Sequence, residues 1–230
     1  MNTGTITHSF MERIRNKHLG KRIWVCGSGG SLLDVIPSQI PKDDIVICCN
    51  SSTYHFPRFD YGVFTDGTAN YSRWYHNLTK KKCTIILLNT EIQVIKKGTI
   101  QLEKDFNKWK FNPEDTKIIG GYDVVHCAVH IAYLMGASEI ILAGVDLKHV
   151  SKTKKHAYSQ ELMSSCPEDL LETILPTFNA NNEQFDGHLG ASLSGWERIH
   201  AHNQLKIFTI SNDTNLKLYP HKQFSELCNK

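Results

Sequence analysis

Uninterrupted apolar runs that alternate with helical stretches are the feature that most constrains the fold of this chain. Such runs occur at residues 21–27, 43–50, 61–66, 83–89, 138–147 and 206–211, with a shorter one at 116–121. Stretches with helical character separate many of them, at residues 31–40, 70–78, 121–137 and 191–206. Apolar strands separated by helices predict a parallel sheet that is covered on both faces. We therefore predict an α/β fold: one Rossmann-like, doubly wound, mainly parallel sheet in a single domain of residues 1–230, with a polar lid segment at 148–187.

Composition places the chain among ordinary soluble globular proteins. Of its 230 residues, 40% are hydrophobic and 21% are charged. No apolar run approaches the roughly 20 residues that span a bilayer. The start of the chain lacks the apolar core of a signal peptide, which predicts a cytoplasmic protein. Its seven cysteines form no CxxC pair, so we expect buried free thiols rather than disulfides.

Small or polar residues follow nearly every predicted strand. In a doubly wound sheet, ligands bind beyond the carboxyl ends of the strands. These positions are Gly27-Ser28-Gly29, Asn50, Asp66, Gly120-Gly121 and Asp146, among others. Their recurrence predicts a nucleotide pocket at this edge of the sheet.

The glycine loop after the first strand does not match a dinucleotide site. The third glycine of that fingerprint is replaced by Leu32, and no acid stands beside Asn50 at the end of the second strand. No Gly-Lys-Ser/Thr follows, so the loop is not a Walker A motif either. What is left is a glycine turn with Ser31 at a predicted helix N-terminus, which suits one phosphate or the edge of a base. Asn50 offers an amide for a ribose or a pyrimidine.

Five stretches of the sequence, taken together, resemble the bacterial sialyltransferases that use CMP-sialic acid. They are VCGSGGSL, CCNSS, GVFTDG, GGYDVVHCAVHIAYLMGASEIILAGVDL and the later GH. They are equally similar to a wider group of motility-associated glycosyltransferases and archaeal hydroxymethylpterin pyrophosphokinases. The resemblance extends roughly from Lys21 to Pro220 and implies a variant of the GT-A type of fold.

The resemblance also implies roles for individual residues. His188, in Asp-Gly-His, falls where the sialyltransferases have their catalytic base. The two tyrosines with which those enzymes bind the phosphate have no clear match in this chain, where Lys148 and His156 or Tyr158 occupy the corresponding region. This difference favours a sugar other than sialic acid. The residues implied to line the nucleotide donor are Gly27, Ser28, Gly29, Ser31, Asn50, Asp66, Gly120, Gly121 and Asp146.

The acidic residues favour CMP over UDP as the nucleotide of the donor, and UDP stays open because some metal-free enzymes use diphosphate donors. Enzymes that use diphosphate sugars commonly neutralise the leaving group with a metal held by carboxylates, and this chain has no Asp-x-Asp. Asp43-Asp44 precede a strand and so belong to the opposite edge of the sheet. Lys148, His156 or Tyr158 would stabilise a CMP leaving group without metal. We expect no metal and no cofactor beyond the nucleotide-sugar donor.

Three clusters have more than one interpretation. His126 and His130 have the spacing of helical metal ligands, but no third ligand is identifiable. Tyr71, Trp74 and Tyr75 form either core packing or an aromatic wall facing the acceptor. The basic run at residues 148–156 is either a solvated loop or an electrostatic funnel for an anionic donor or a polyanionic acceptor.

Three classes of function remain open from the sequence. The first is a metal-independent, inverting glycosyltransferase that moves a sugar from a CMP-type donor to a hydroxyl of a glycan or of a modified base, as in bacteriophage DNA. The second is an ATP-dependent pyrophosphokinase of the pterin type. The third is a non-catalytic module that binds a nucleotide or nucleic acid. The oligomeric state is not determined by the sequence.

Overall fold

A seven-stranded parallel sheet forms the centre of the molecule in the computed structural model, which describes residues 11–65, 78, 81–88, 98–148 and 182–228. Its strands are β1 (Arg22–Cys26), β2 (Ile45–Cys49), β3 (Tyr61–Phe64), β4 (Thr84–Leu87), β5 (Ile100–Gln101), β8 (Glu139–Ala143) and β9 (Ile207–Thr209). Their order in the sheet is β5-β4-β3-β2-β1-β8-β9, and every neighbouring pair is parallel. This confirms the predicted α/β class.

A separate two-stranded parallel sheet and three α-helices complete the described part. The small sheet pairs β6 (Lys104–Asp105) with β7 (Ile118–Ile119). The helices are α1 (Val124–Leu134), α2 (Asn182–His202) and α3 (Phe224–Cys228). Short 3₁₀ helices occupy Gly30–Asp34, Pro37–Gln39 and Asn50–Tyr54.

Apolar layers cover both faces of the sheet. Successive side chains of a strand point to opposite faces, so Ile23 and Val25 join one core cluster while Trp24 and Cys26 join the other. Helices α1 and α2 pack on the first face, and the 3₁₀ segments and α3 pack on the second. All six described cysteines have free thiols, as expected, and burial raises the pKa of Cys48 and Cys49.

Two predicted elements differ from the structure, and one strand was not predicted. Residues 31–40 form two 3₁₀ helices instead of one short helix, because the residue before a proline avoids the helical region and Ile36 is extended before Pro37. The short strand at residues 116–121 joins the small sheet and not the main one. The main sheet instead gains β5, which the sequence does not predict.

The last long helix begins earlier than predicted. The sequence places its start near Ala191 and puts His188 in a polar loop, whereas α2 begins at Asn182. Residues 182–187 of the predicted lid segment, and His188 after them, are therefore helical. The remaining lid residues 149–181, with His156 and Tyr158, lie outside the described residues, as do Asp66, Tyr71, Trp74 and Tyr75.

A network of ionic and hydrogen-bonding side chains lies at the amino ends of β1 and β2. Arg22 donates to the Asp44 carboxylate over 2.6 Å and to the carbonyl of Leu227 over 2.7 Å. The indole of Trp24 donates to the same carboxylate over 2.8 Å. Asp44 is thus on the edge opposite the candidate site, as predicted. None of the described helices has the length and apolar character that a membrane crossing requires.

Candidate functional site

The candidate site predicted from the sequence lies at the carboxyl ends of β1 and β8, which are neighbours in the sheet. From β1 the chain passes to β2 on one side, while β8 and β9 pair on the other, so this is a topological switch point of the sheet. The amide of Gly27 donates to the carbonyl of Ala143 and that of Gly29 donates to Gly144, both over 2.8 Å. A Cβ on Gly27 would lie 2.5 Å from the Gly144 oxygen. Glycine is therefore required for the two strand ends to approach each other.

Asp146 binds the glycine loop directly. The Ser31 amide donates to Asp146 Oδ2 over 2.8 Å, and the Ser31 hydroxyl donates to Oδ1 in a short hydrogen bond. Thr214 and Asn215 donate to the Asp146 carbonyl and hold it from the side of β9. The Ser31 donors, which the sequence suggests for a phosphate, are thus occupied by a carboxylate that is 4% exposed. A phosphate on the same donors would be repelled by this negative charge.

Asn50 begins a 3₁₀ helix at the end of β2. Its φ of 48° lies in the left-handed region, which asparagine tolerates better than most residues. Ser52 donates to the carbonyls of Cys26 and Cys49 over 2.8 and 2.9 Å, so it joins the ends of β1 and β2. Strained backbone that the surrounding structure holds in place is typical of functional loops.

Helix α1 begins at the same edge, and its cap is a feature that the sequence analysis missed. Asp123 accepts a hydrogen bond from the His126 amide over 2.9 Å, while its own amide faces His126 Nδ1 at 3.3 Å. Ser192 of α2 donates to the other oxygen of Asp123. The signal was present, because an Asp directly before an apolar periodic run marks a helix N-terminus.

The two helical histidines have separate structural partners. His130 Nδ1 accepts from the Ile119 amide over 3.0 Å, and Nε2 lies 2.9 Å from Asp115 Oδ2. Nε2 therefore has the proton. Both His126 and His130 are completely buried, and burial lowers the pKa of each ring. In the described ranges, no group of three His, Cys, Asp or Glu side chains is placed to hold a metal ion.

Gly120 and Gly121 are required by packing. A Cβ on Gly120 would lie 2.6 Å from the Cα of Phe106, and the Gly120 amide donates to the carbonyl of Asp105 over 2.6 Å. Gly121 has a φ of 36°, and a Cβ on it would lie 2.6 Å from the Cβ of His126. The pair thus forms a tight turn between β7 and α1, beside the switch point.

The remaining predicted residues surround this edge or lie outside the described part. Lys148 forms a short ion pair with Asp213, which is exposed. Position 188 lies on α2 one turn before Ser192 and on the same helix face, so α2 places its backbone close to the start of α1. The side chain of His188 is not among the described groups.

Comparisons with known sequences give one family. The sequence model of the family described as 6-hydroxymethylpterin diphosphokinase MptE-like matches residues 1–152. A search of curated protein sequences finds no match.

Bacterial sialyltransferases are among the solved structures that share the fold. A variant of the sialyltransferase CST-II of Campylobacter jejuni in complex with CMP is 16% identical, with a TM-score of 0.58 over 91% of this chain and 88% of that chain. CST-II in complex with a trisaccharide acceptor and CMP gives 14% identity and a TM-score of 0.53 over 91% and 88%. The monofunctional alpha-2,3-sialyltransferase Cst-I of Campylobacter jejuni gives 13% and 0.57 over 92% and 82%. At these identities the likeness shows the fold.

Proposed function

We propose that this chain, which belongs to the 6-hydroxymethylpterin diphosphokinase MptE-like family, is a glycosyltransferase that takes a CMP-type sugar donor. The observation that favours this function most is the switch point, where the ends of β1, β2 and β8 bring Gly27, Asn50 and Asp146 to one edge. Proteins of the same fold are crystallised with CMP, and the shared fold covers about nine-tenths of the chain.

The arrangement of charges suggests how the donor lies in this site. The nucleoside would contact the backbone of Gly27–Gly29 and the amide of Asn50. Because Asp146 occupies the Ser31 donors, the phosphate would lie farther along the edge, at Lys148. The ion pair of Lys148 with exposed Asp213 is weak enough to exchange for a phosphate. His156 and Tyr158 remain proposed partners of the same phosphate.

The reaction would be a direct displacement. The acceptor hydroxyl oxygen attacks the anomeric carbon, and the bond from this carbon to the phosphate oxygen breaks. CMP leaves with the electron pair of that bond, and His188 takes the proton of the hydroxyl as general base. A single in-line displacement inverts the anomeric configuration, and no residue forms a covalent bond to the sugar.

A thermal-shift comparison tests this function. We expect CMP to raise the melting temperature without magnesium, and to raise it more than UDP or ADP do. The Asn50→Gly variant should lose most of this increase in melting temperature, because glycine adopts the same left-handed backbone but lacks the side-chain amide. A protein that responds to none of these nucleotides would contradict the proposal.

The family match favours a second candidate, a pterin-type diphosphokinase. Such an enzyme transfers diphosphate from ATP and uses magnesium to neutralise the transferred group. The same thermal-shift comparison separates the two candidates, since a shift that needs both ATP and magnesium supports the diphosphokinase and argues against the glycosyltransferase.

A further inference from the structure

Two exposed aromatic side chains flank the glycine turn between β7 and α1. Phe106 is 67% exposed and Tyr122 is 43% exposed. In the described part of the chain, no other Phe, Tyr or Trp side chain is exposed to this extent. Trp109 is half-buried beside Tyr122, with ring centroids 5.5 Å apart. We call Phe106, Trp109 and Tyr122 the aromatic platform.

The platform is held in place by contacts beneath it. The backbone of Phe106 presses on Gly120, where no Cβ would fit. The amide of Tyr122 donates to His126 Nδ1 over 3.2 Å, and Asn203 donates to the carbonyl of Trp109 over 2.8 Å. Exposed aromatic rings on a fixed backbone lose little conformational entropy when a ligand binds.

The platform borders the site where transfer is proposed. Tyr122 precedes Asp123, which binds Ser192 of α2, and position 188 lies one helical turn before Ser192. The start of α1 also touches the glycine loop, since Val125 Cγ2 would lie 3.4 Å from a Cβ on Gly27. A molecule lying on the platform would therefore reach both the proposed base and the donor edge.

The charges around the platform are balanced. Lys104 lies 5.2 Å from the Phe106 ring, and the guanidinium of Arg198 lies 5.3 Å from that of Trp109. Asp105 and Glu197 adjoin these two cations in the sequence. Lys108 and Lys110 flank Trp109 in the sequence, and the Lys108 ammonium is paired with Asp115. Carboxylates thus accompany the cations around the platform, whereas a nucleic acid needs a run of cations for its phosphates.

We propose that the aromatic platform binds the acceptor, and that this acceptor is a glycan whose sugar ring stacks on Phe106 and Tyr122. The C–H face of a pyranose has a partial positive charge that matches the negative face of an aromatic ring. Arg198 and Lys104 would bind a carboxylate on the same glycan. The inference rests on the proposed function, because only a transferase needs an acceptor at this edge.

Direct binding tests the platform without requiring turnover. Saturation-transfer NMR would be recorded with lactose and with a carboxylate-bearing oligosaccharide, alongside anisotropy with a duplex DNA oligonucleotide. We expect a saccharide to bind, and the double variant Phe106→Ala/Tyr122→Ala to weaken it about tenfold. Replacement by Trp at both positions should retain binding. Leu19→Ala is the matched control, since Leu19 is also an exposed apolar residue but lies near the amino ends of the strands.

The outcomes separate this inference from the proposed function. Saccharide binding that is unchanged in a folded double variant, or no saccharide binding at all, overturns the inference even if CMP binds. DNA binding that depends on Phe106 and Tyr122 also overturns it, in favour of a nucleic-acid acceptor. Saccharide binding that is lost in the double variant supports the platform, even where the response to CMP fails.

Discussion

At the scale of single residues, one carboxylate organises the candidate site. Asp146 joins two loops that are 115 positions apart in the sequence, and it accepts both donors of Ser31. Hydrogen bonds to a carboxylate are stronger than those to a neutral acceptor, so these two bonds fix the geometry of the glycine loop.

We expect Asp146→Asn to lower the free energy of unfolding by about 1.5–3 kcal/mol, because its amide group cannot accept from both Ser31 donors. Urea denaturation monitored by circular dichroism would measure the change. Asp213→Asn is the control, since Asp213 is exposed and its loss should not alter the denaturation midpoint. Equal destabilisation by the two variants would show that Asp146 has no special role.

A second prediction at this scale concerns the proposed base. His188→Ala should lower kcat by roughly 10²–10⁴-fold with little change in donor affinity, because it removes proton transfer and leaves the donor contacts intact. His202→Ala on the same helix is exposed and should keep full activity. Near-normal turnover without His188 would exclude it as the base.

At the scale of elements, helices α1 and α2 meet through glycine and histidine. A Cβ on Gly195 would lie 2.5 Å from Cε1 of His126, whose ring is fixed between Trp196 and the helix cap. The distance between the helices is therefore set by the absence of a side chain at position 195.

Two identical substitutions in α2 should have opposite effects. Gly195→Ala should destabilise the protein by about 1–3 kcal/mol, because the buried His126 ring cannot move away. Gly190→Ala meets nothing within 4 Å and should stabilise by up to about 1 kcal/mol through helix propensity. Melting temperatures of the two variants give the comparison, and destabilisation by both would contradict it.

The elements also show which parts of the fold could be predicted. Strands β1, β2 and β8 were recognisable because both of their faces are buried, which leaves an uninterrupted apolar run. Strand β5 pairs only two residues, too few to give a pattern. The contact of Ser31 with Asp146 was not predictable, since it depends on the register of β1 against β8. The start of α2 was missed because residues 182–190 are mostly polar.

At the scale of the whole molecule, buried histidines link stability to pH. Burial lowers the pKa of His126 and His130 in the folded state, and Asp115 and Lys108 are the charged groups beside His130. The unfolded chain takes up these protons near pH 6.5, and the folded protein does so only at lower pH. The free energy of unfolding should therefore fall as the pH decreases below about 6.5.

We expect a slope of up to about 1.4 kcal/mol per pH unit for each histidine in this range. The variant His130→Gln should reduce the slope by one histidine, because an amide still bonds Ile119 and Asp115 without titrating. Asp115 has a lowered pKa, so it adds a separate loss of stability below about pH 4. Denaturation between about pH 7 and pH 5 measures the slope, and a stability that stayed constant there would contradict the assignment.

The bond from Arg22 to the carbonyl of Leu227 has a consequence for biosynthesis. Arg22 opens β1, an internal strand of the sheet, and its partner is 205 positions later in the chain. During translation, this strand leaves the ribosome long before α3 exists, with a cationic side chain and the Trp24 indole still open to solvent on that side. Strand β1 has an unpaired side until β8 is made, and Arg22 lacks its partner until α3 is made. The nascent chain is therefore exposed to aggregation and to chaperones at β1 until synthesis has passed Ala143, and at Arg22 until it has passed Leu227.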